Sequence, residues 1–261
     1  VNRVRLSVPF TKEKPMMFKK ISISLAALGA VSFGVYLRFI RPWQLRWGAT
    51  DEELERRMSG DEVVKHPTSN ATRAVTIQAR PEEIWPWLVQ IGQGKAGYYS
   101  YERMENLFGL KMKNAEGINP AWQSLQVGDI IPAEPSGKGF KVYAREPERA
   151  LVLGGREGEA GVFEGFTQMF PTLSWAFVLV PLDSEHTRLI SRLRGQNRPS
   201  FWNRVTGIFF EPIEFLMTSR MLLGIKQQAE HPSRQTAEPI GTPGRSMPGS
   251  SEFVAQEMEG A

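Results

Sequence analysis

Cysteine is absent from this chain of 261 residues, which excludes disulfide bridges, a thiolate nucleophile and any thiolate metal site. Histidine is scarce, and His66, His186 and His231 stand far apart in sequence, so no metal cluster is expected. There is no Gly-x-Ser-x-Gly elbow, and neither Ser100 nor Ser174 has an identifiable base beside it. The net charge of +4 is small and its basic residues are scattered, without a cationic stripe interleaved with aromatics, which argues against a nucleic-acid partner. What remains is ordinary globular composition, 41% hydrophobic and 23% charged, enough for one good-sized domain with appendages and a core that needs no staples.

The longest uncharged run is Ile21 to Leu37, preceded by Lys19 and Lys20 and followed by Arg38, Phe39, Ile40, Arg41, Pro42 and Trp43. Counted to Ile40, with Arg38 snorkelling, it supplies about 30 Å of helix, the thickness of a bilayer core. Trp43 and Trp47 then suit the headgroups. A signal peptide and a buried core helix are the competing readings. Ala27 to Ala30 offers only a weak cleavage site and the apolar run continues past it, so the anchor is preferred. The chain opens on Val1, with Met16 and Met17 as alternative starts; six basic residues precede the span in the first case and two in the second, so the side of the membrane stays open. The expected order is a polar extension at 1–17, a single-pass transmembrane anchor at 18–40, a juxtamembrane linker with a short helix at 41–70, a folded domain at 71–230 and a disordered tail at 231–261. The tail holds four prolines, four glycines and four serines with hardly any apolar pattern.

Within the folded part, Thr50 and Glu53 form a capping-box pair for a helix over Asp51–Met58, ended by Gly60. Val75, Ile77 and Ala79 alternate as a half-buried strand leading into Pro81, a first helical position with Glu82 and Glu83 on the positive end of the dipole. Ile84, Trp87, Leu88 and Ile91 recur as an apolar stripe. Gly92, Gly94 and Gly97 match a dinucleotide fingerprint only formally, because a helix precedes them where a strand is required. They open a loop that carries Tyr98, Tyr99 and Tyr101. Phe140, Val142 and Ala144 alternate, Ala150 to Leu153 is a short apolar run, and Leu173–Leu179 and Thr187–Leu193 form a hairpin across a turn at Pro181–His186. A largely helical stretch runs from Ser200 to about Glu230, broken or kinked at Pro212; Arg204, Glu211, Glu214 and Arg220 argue against a second span, so its apolar side covers a sheet or touches the membrane interface.

Acids that could act if buried are Glu102, Glu105, Asp129 and Glu164, with a solvated face as the plainer alternative. Tyr98, Tyr99, Tyr101, Trp122 and Trp175 suit the walls of an amphipathic pocket, with core packing as theirs.

Five phrases, Pro81-Glu82-Glu83-Ile84-Trp85-Pro86-Trp87-Leu88, Gly97-Tyr98-Tyr99-Ser100-Tyr101, Val127-Gly128-Asp129, Thr187-Arg188-Leu189 and Met221-Leu222-Leu223-Gly224-Ile225-Lys226, resemble bacterial START-like (SRPBCC) proteins of the polyketide cyclase/dehydrase-like type. Arg41-Pro42-Trp43 and Trp47-Gly48-Ala49-Thr50-Asp51 resemble the same subgroup, and the likeness spans about Arg41 to Glu230. It implies an α+β helix-grip fold, a curved antiparallel sheet around a long C-terminal helix, with a hydrophobic small molecule (lipid, isoprenoid or polyketide) in an internal cavity and no cofactor. Period two puts Leu173, Trp175, Phe177, Thr187, Leu189 and Ser191 on the concave face, opposite Phe209, Leu216 and Met217; a slip by one residue would turn Arg188, Arg192 and Arg194 inward instead. The candidate ligand-binding residues are Trp87, Tyr98, Tyr99, Tyr101, Glu105, Trp122, Trp175, Phe177, Leu189 and Met217. The partners are that ligand and, through 18–40, a membrane. Two alternatives accompany this reading: a cyclase or dehydratase in which Tyr98, Tyr99, Tyr101 or Glu105 shuttles a proton, and a non-enzymatic envelope interaction module using the Phe201–Phe210 face. The superfamily supplies no single catalytic set to carry over.

Overall fold

The computed structural model describes residues 14–231; most of the expected 1–17 extension and all of the tail beyond His231 lie outside the described residues. Helix α1 (Lys14–Val35) passes through a π-helical turn at Tyr36–Ile40 into α2 (Arg41–Leu45), so the apolar run is divided between α1 and that turn. Among the described residues no single helix is long and apolar enough to cross a membrane. Apart from half-buried Tyr36, every side chain of known burial from Ser24 to Ile40 is exposed.

Helix α3 (Asp51–Glu55) has the expected capping box: the Glu53 amide donates to Thr50 Oγ1 at 3.2 Å and the Thr50 amide to Glu53 Oε2 at 2.8 Å. It stops three residues short of the expected Met58. Arg192 reaches in from the sheet and donates to the carbonyls of Glu53, Leu54 and Arg56, taking acceptors that a longer helix would use internally.

The sheet has six antiparallel strands in the order β1-β6-β5-β4-β3-β2. They are β1 (Ser69–Ile77), β2 (Ile130–Pro132), β3 (Gly139–Glu146), β4 (Ala150–Arg156), β5 (Thr172–Pro181) and β6 (Thr187–Gln196). Between them lie α4 (Pro81–Val89), α5 (Glu102–Leu107) and α6 (Glu164–Met169), and α7 (Phe201–Ala229) closes the described chain. Helix α4 starts at Pro81 as expected, with the Arg80 amide donating to Glu83 at 2.7 Å. The short strand β2 and helix α6 carry too few residues for a periodic signal and were not anticipated.

Register settles which face is which. Phe177 pairs with Ser191, Trp175 with Leu193 and Leu179 with Leu189, which turns the apolar set toward α7 and α4. The one-residue slip does not occur. Arg188, Arg192 and Arg194 point to the other face, where Arg188 meets Glu53 at 2.6 Å and both Arg192 and Arg194 meet Asp61 at 2.9 and 2.6 Å. These pairs fasten the 51–61 segment over a small second core of Met58, Ala74 and Ile190. On the concave side, fully buried Phe177 and Leu189 each contribute about 1.5–3 kcal/mol by leaving water.

The partner face of α7 differs from expectation. Met221, Leu222, Ile225 and Ala229 enter the core, whereas Phe209 and Leu216 are 66% and 41% exposed and Met217 is half-buried. The inner stripe runs Glu211, Glu214, Thr218, Met221, Ile225, Ala229 at helical spacing, so the middle of α7 turns two carboxylates inward, Glu211 onto Arg41 of α2 and Glu214 onto Arg73 of β1. The helix continues through Pro212 without a break.

Candidate functional site

Most of the anticipated pocket residues form packed core. Tyr98 stacks on Trp175 with ring centroids 6.2 Å apart and its hydroxyl donates to the Pro132 carbonyl at 3.1 Å. Trp175 in turn donates to Ser191 Oγ at 2.9 Å and lies against Phe140 and Phe177 at 5.3 and 4.9 Å. Tyr99 donates to the Trp87 carbonyl at 3.1 Å and accepts from Gln90 at 2.9 Å, with the Trp87 ring edge-on to it at 5.9 Å. Burial raises both phenols above their ordinary value, so they stay protonated. Leu189 is fully buried, and Trp122, in a short 3-10 turn, packs against the same core.

The remaining candidates lie nearer the edge of that core. Tyr101 is 41% exposed, with the Arg220 guanidinium 5.9 Å over its ring. The Met217 carbonyl accepts from Ser100 Oγ at 3.2 Å. Glu105 is buried; desolvation first and the nearby Glu102 charge second push its carboxyl up to about 7, and its Oε2 has no hydrogen-bond partner among the described residues.

One open space among the described residues lies apart from them. A cavity of about 460 Å³ lies between α2, the first half of α7 and the rim of β1 and β6. Leu45, Ala71, Phe170, Leu193, Ile208 and Phe210 give it apolar walls, and Thr68, Ser69, Asn197 and Arg198 its polar edge. None of the ten anticipated ligand residues lines it. Its volume is in the range of small-molecule sites, roughly 300–1,000 Å³.

Arg41, Glu211 and Glu214 line its floor, and each of the two carboxylates is held in an ion pair. Arg41 grips Glu211 through Nε at 2.6 Å and Nη2 at 2.8 Å. Arg73, whose side chain is 1% exposed, grips Glu214 through Nη1 and Nη2 at 2.6 and 2.7 Å and donates from Nε to the Gln44 carbonyl at 2.8 Å. Thr218 Oγ1 adds 2.8 Å to Glu214, and the Phe215 ring lies 5.3 Å from the Arg73 guanidinium. These bidentate bonds neutralise the carboxylates, and the cavity is left amphipathic with little net charge. Arg73 escaped the sequence reading because one cation in a strand resembles a wet face. Its register opposite Ser191, on the concave side, is the signal that locates it.

No protein-family model matches the chain, and neither does any curated protein. Solved structures that are similar in part include the following three. Protein MLL2253 from Mesorhizobium loti is 17% identical, with 61% of this chain and 96% of that one covered and a TM-score of 0.35. A solution structure from Thermobifida fusca gives 10%, 65%, 99% and 0.40 in the same order, and norcoclaurine synthase from Thalictrum flavum 14%, 66%, 92% and 0.37. At that identity and superposition nothing about substrate or activity passes from them to this chain. Its own topology, an antiparallel sheet around a C-terminal helix, carries the α+β helix-grip description.

Proposed function

We propose that this chain is a membrane-anchored START-like domain that takes up a hydrophobic small molecule, a lipid, isoprenoid or polyketide, in the cavity between α7 and the β1–β6 rim. The single observation that carries the reading is that cavity, with its apolar walls, polar edge and neutralised floor. The anchor, residues 18–40 in one pass, is supported by the exposed apolar side chains of this segment, with Leu25, Leu28 and Val31 at 63%, 63% and 65%. A binding domain held at a bilayer shortens the path of an insoluble ligand through water.

Native mass spectrometry of the full chain, released from mild detergent after incubation with a lipid extract, tests the reading. Gly207 lines the cavity, and a Cβ there would meet only Asn197 Nδ2, at 3.5 Å, so Gly207→Leu fills the space without a backbone clash. Bound apolar mass in the parent chain and its loss in Gly207→Leu are expected. Failure to load any apolar molecule, or loading indifferent to Gly207→Leu, counts against it.

The enzymatic alternative has one observation in its favour, the buried and upward-shifted Glu105. That carboxyl is not among the residues lining the cavity, so binding without chemistry is the preferred reading.

A further inference from the structure

Helix α7 carries a second apolar stripe, on its outer side. Trp202, Phe209, Ile213 and Leu216 are 71%, 66%, 44% and 41% exposed and recur at helical spacing over about 21 Å. The segment from α1 through α2 runs alongside it in the same direction. Phe33 stacks on Phe209 at 6.3 Å, the Tyr36 hydroxyl reaches the Ile208 carbonyl at 3.4 Å, Arg41 holds Glu211, and Trp43 meets Phe215 edge-on at 5.2 Å. Whatever surrounds α1 therefore also meets the start of α7.

Charge singles out the kind of surface. The only acids of α7, Glu211 and Glu214, are both turned inward onto Arg41 and Arg73, so α7 itself places no carboxylate on the outer stripe. Half-buried Arg220 continues the stripe one turn beyond Leu216, its guanidinium over the Tyr101 ring, and exposed Arg38 lies on the neighbouring α1–α2 segment, over the Phe39 ring. An apolar stripe edged by cations complements an anionic lipid surface.

We infer that the first turns of α7 are bedded in the headgroup–acyl boundary of the membrane beside the anchor, with Trp202 and Phe209 as the inserted side chains. This rests on the anchoring reading above and adds a second lipid contact to it. Gly207, Ile208 and Phe210, from the same turns, line the cavity, so its wall abuts the lipid and a ligand can exchange there without crossing water.

The cysteine-free chain permits a direct test. Single cysteines at Leu28, Trp202, Phe209 and, as a control in the β5–β6 turn, Leu182 are labelled with a polarity-sensitive fluorophore. The full chain is reconstituted in phosphatidylcholine vesicles containing a minor share of phosphatidylglycerol. Nitroxide-labelled lipid is expected to quench positions 28, 202 and 209 several-fold more than aqueous iodide does, with the opposite order at 182. Lipid quenching at 28 combined with iodide quenching at 202 and 209 leaves the anchor standing and overturns the inference. Absence of lipid quenching at 28 overturns the anchor and, with it, the inference. Protection of 202 and 209 from both quenchers means that protein covers the stripe, a second copy or another partner, and also overturns it.

Discussion

Arg73 of the edge strand and Glu214 of the long helix are 141 positions apart in sequence and meet through two hydrogen bonds of 2.6 and 2.7 Å. Through the third bond from Arg73, to the carbonyl of Gln44, the same guanidinium also holds α2. One side chain thus joins α2, the sheet and the long C-terminal helix beneath the cavity.

Breaking that pair from one side leaves a buried charge without its counterion. Arg73→Met and Glu214→Leu are each expected to lower stability by about 3–5 kcal/mol, whereas the double variant recovers much of the loss because both desolvated charges are gone. Chemical denaturation of the four proteins, read as a double-mutant cycle, checks this. Additive losses would show that the two residues act separately.

Much of the fold was legible because it rests on local chemistry. Pro81 with Glu82 and Glu83 marks a helix start, Thr50 with Glu53 a capping box, and the alternation on either side of Pro181–His186 a hairpin in the correct register. The cavity was not, because its walls and floor come from residues far apart in sequence, Arg41, Ala71, Leu193 and Glu214 among them. Aromatic density drew the expectation to Tyr98 and Tyr99, and their polar tips find backbone carbonyls inside the core. The carboxylates of α7 counted in sequence only as obstacles to a second span, since pattern alone does not reveal an arginine waiting opposite.

Tyr99 and Tyr101 are expected to respond very differently to loss of their hydroxyls. Tyr99→Phe removes the donor to the Trp87 carbonyl and the acceptor for Gln90, both buried, and costs about 1–3 kcal/mol. Tyr101→Phe, at a 41% exposed ring, changes stability by less than about 0.5 kcal/mol. Thermal unfolding of the two variants tests the core assignment, and a larger loss in Tyr101→Phe would contradict it.

Glu105 predicts a pH dependence of definite sign. Its carboxyl is raised from the ordinary 4.5 to about 7, chiefly by burial, so between those values the folded chain holds a proton that the unfolded chain has released. Stability contributed by the neutral form is therefore fully present below about pH 4.5 and is lost as pH rises to about 7, by about 3 kcal/mol in all. Glu105→Gln keeps the shape and removes the titration. Its unfolding free energy is expected to exceed that of the parent at pH 8 and to lose this slope between pH 4.5 and 7; an unchanged slope would assign the effect to another group.

Gly224 offers a test in which helix propensity and packing oppose one another. In the middle of an exposed helix Gly→Ala stabilises by up to about 1 kcal/mol, because alanine loses less backbone freedom on folding. Here a Cβ would stand 2.3 Å from the Tyr99 carbonyl oxygen and 2.8 Å from Tyr99 Cβ, closer than any real contact. The loop cannot retreat cheaply, because the Tyr99 hydroxyl is tied to Trp87 and Gln90 and its backbone is already in the left-handed region at φ 54°. Overpacking of this kind costs about 1–3 kcal/mol, so the clash outweighs the propensity gain and Gly224→Ala is expected to be net destabilising. Chemical denaturation against the parent chain measures the sign directly. A stabilised Gly224→Ala would mean that the aromatic loop does not rest on α7 as closely as the geometry places it.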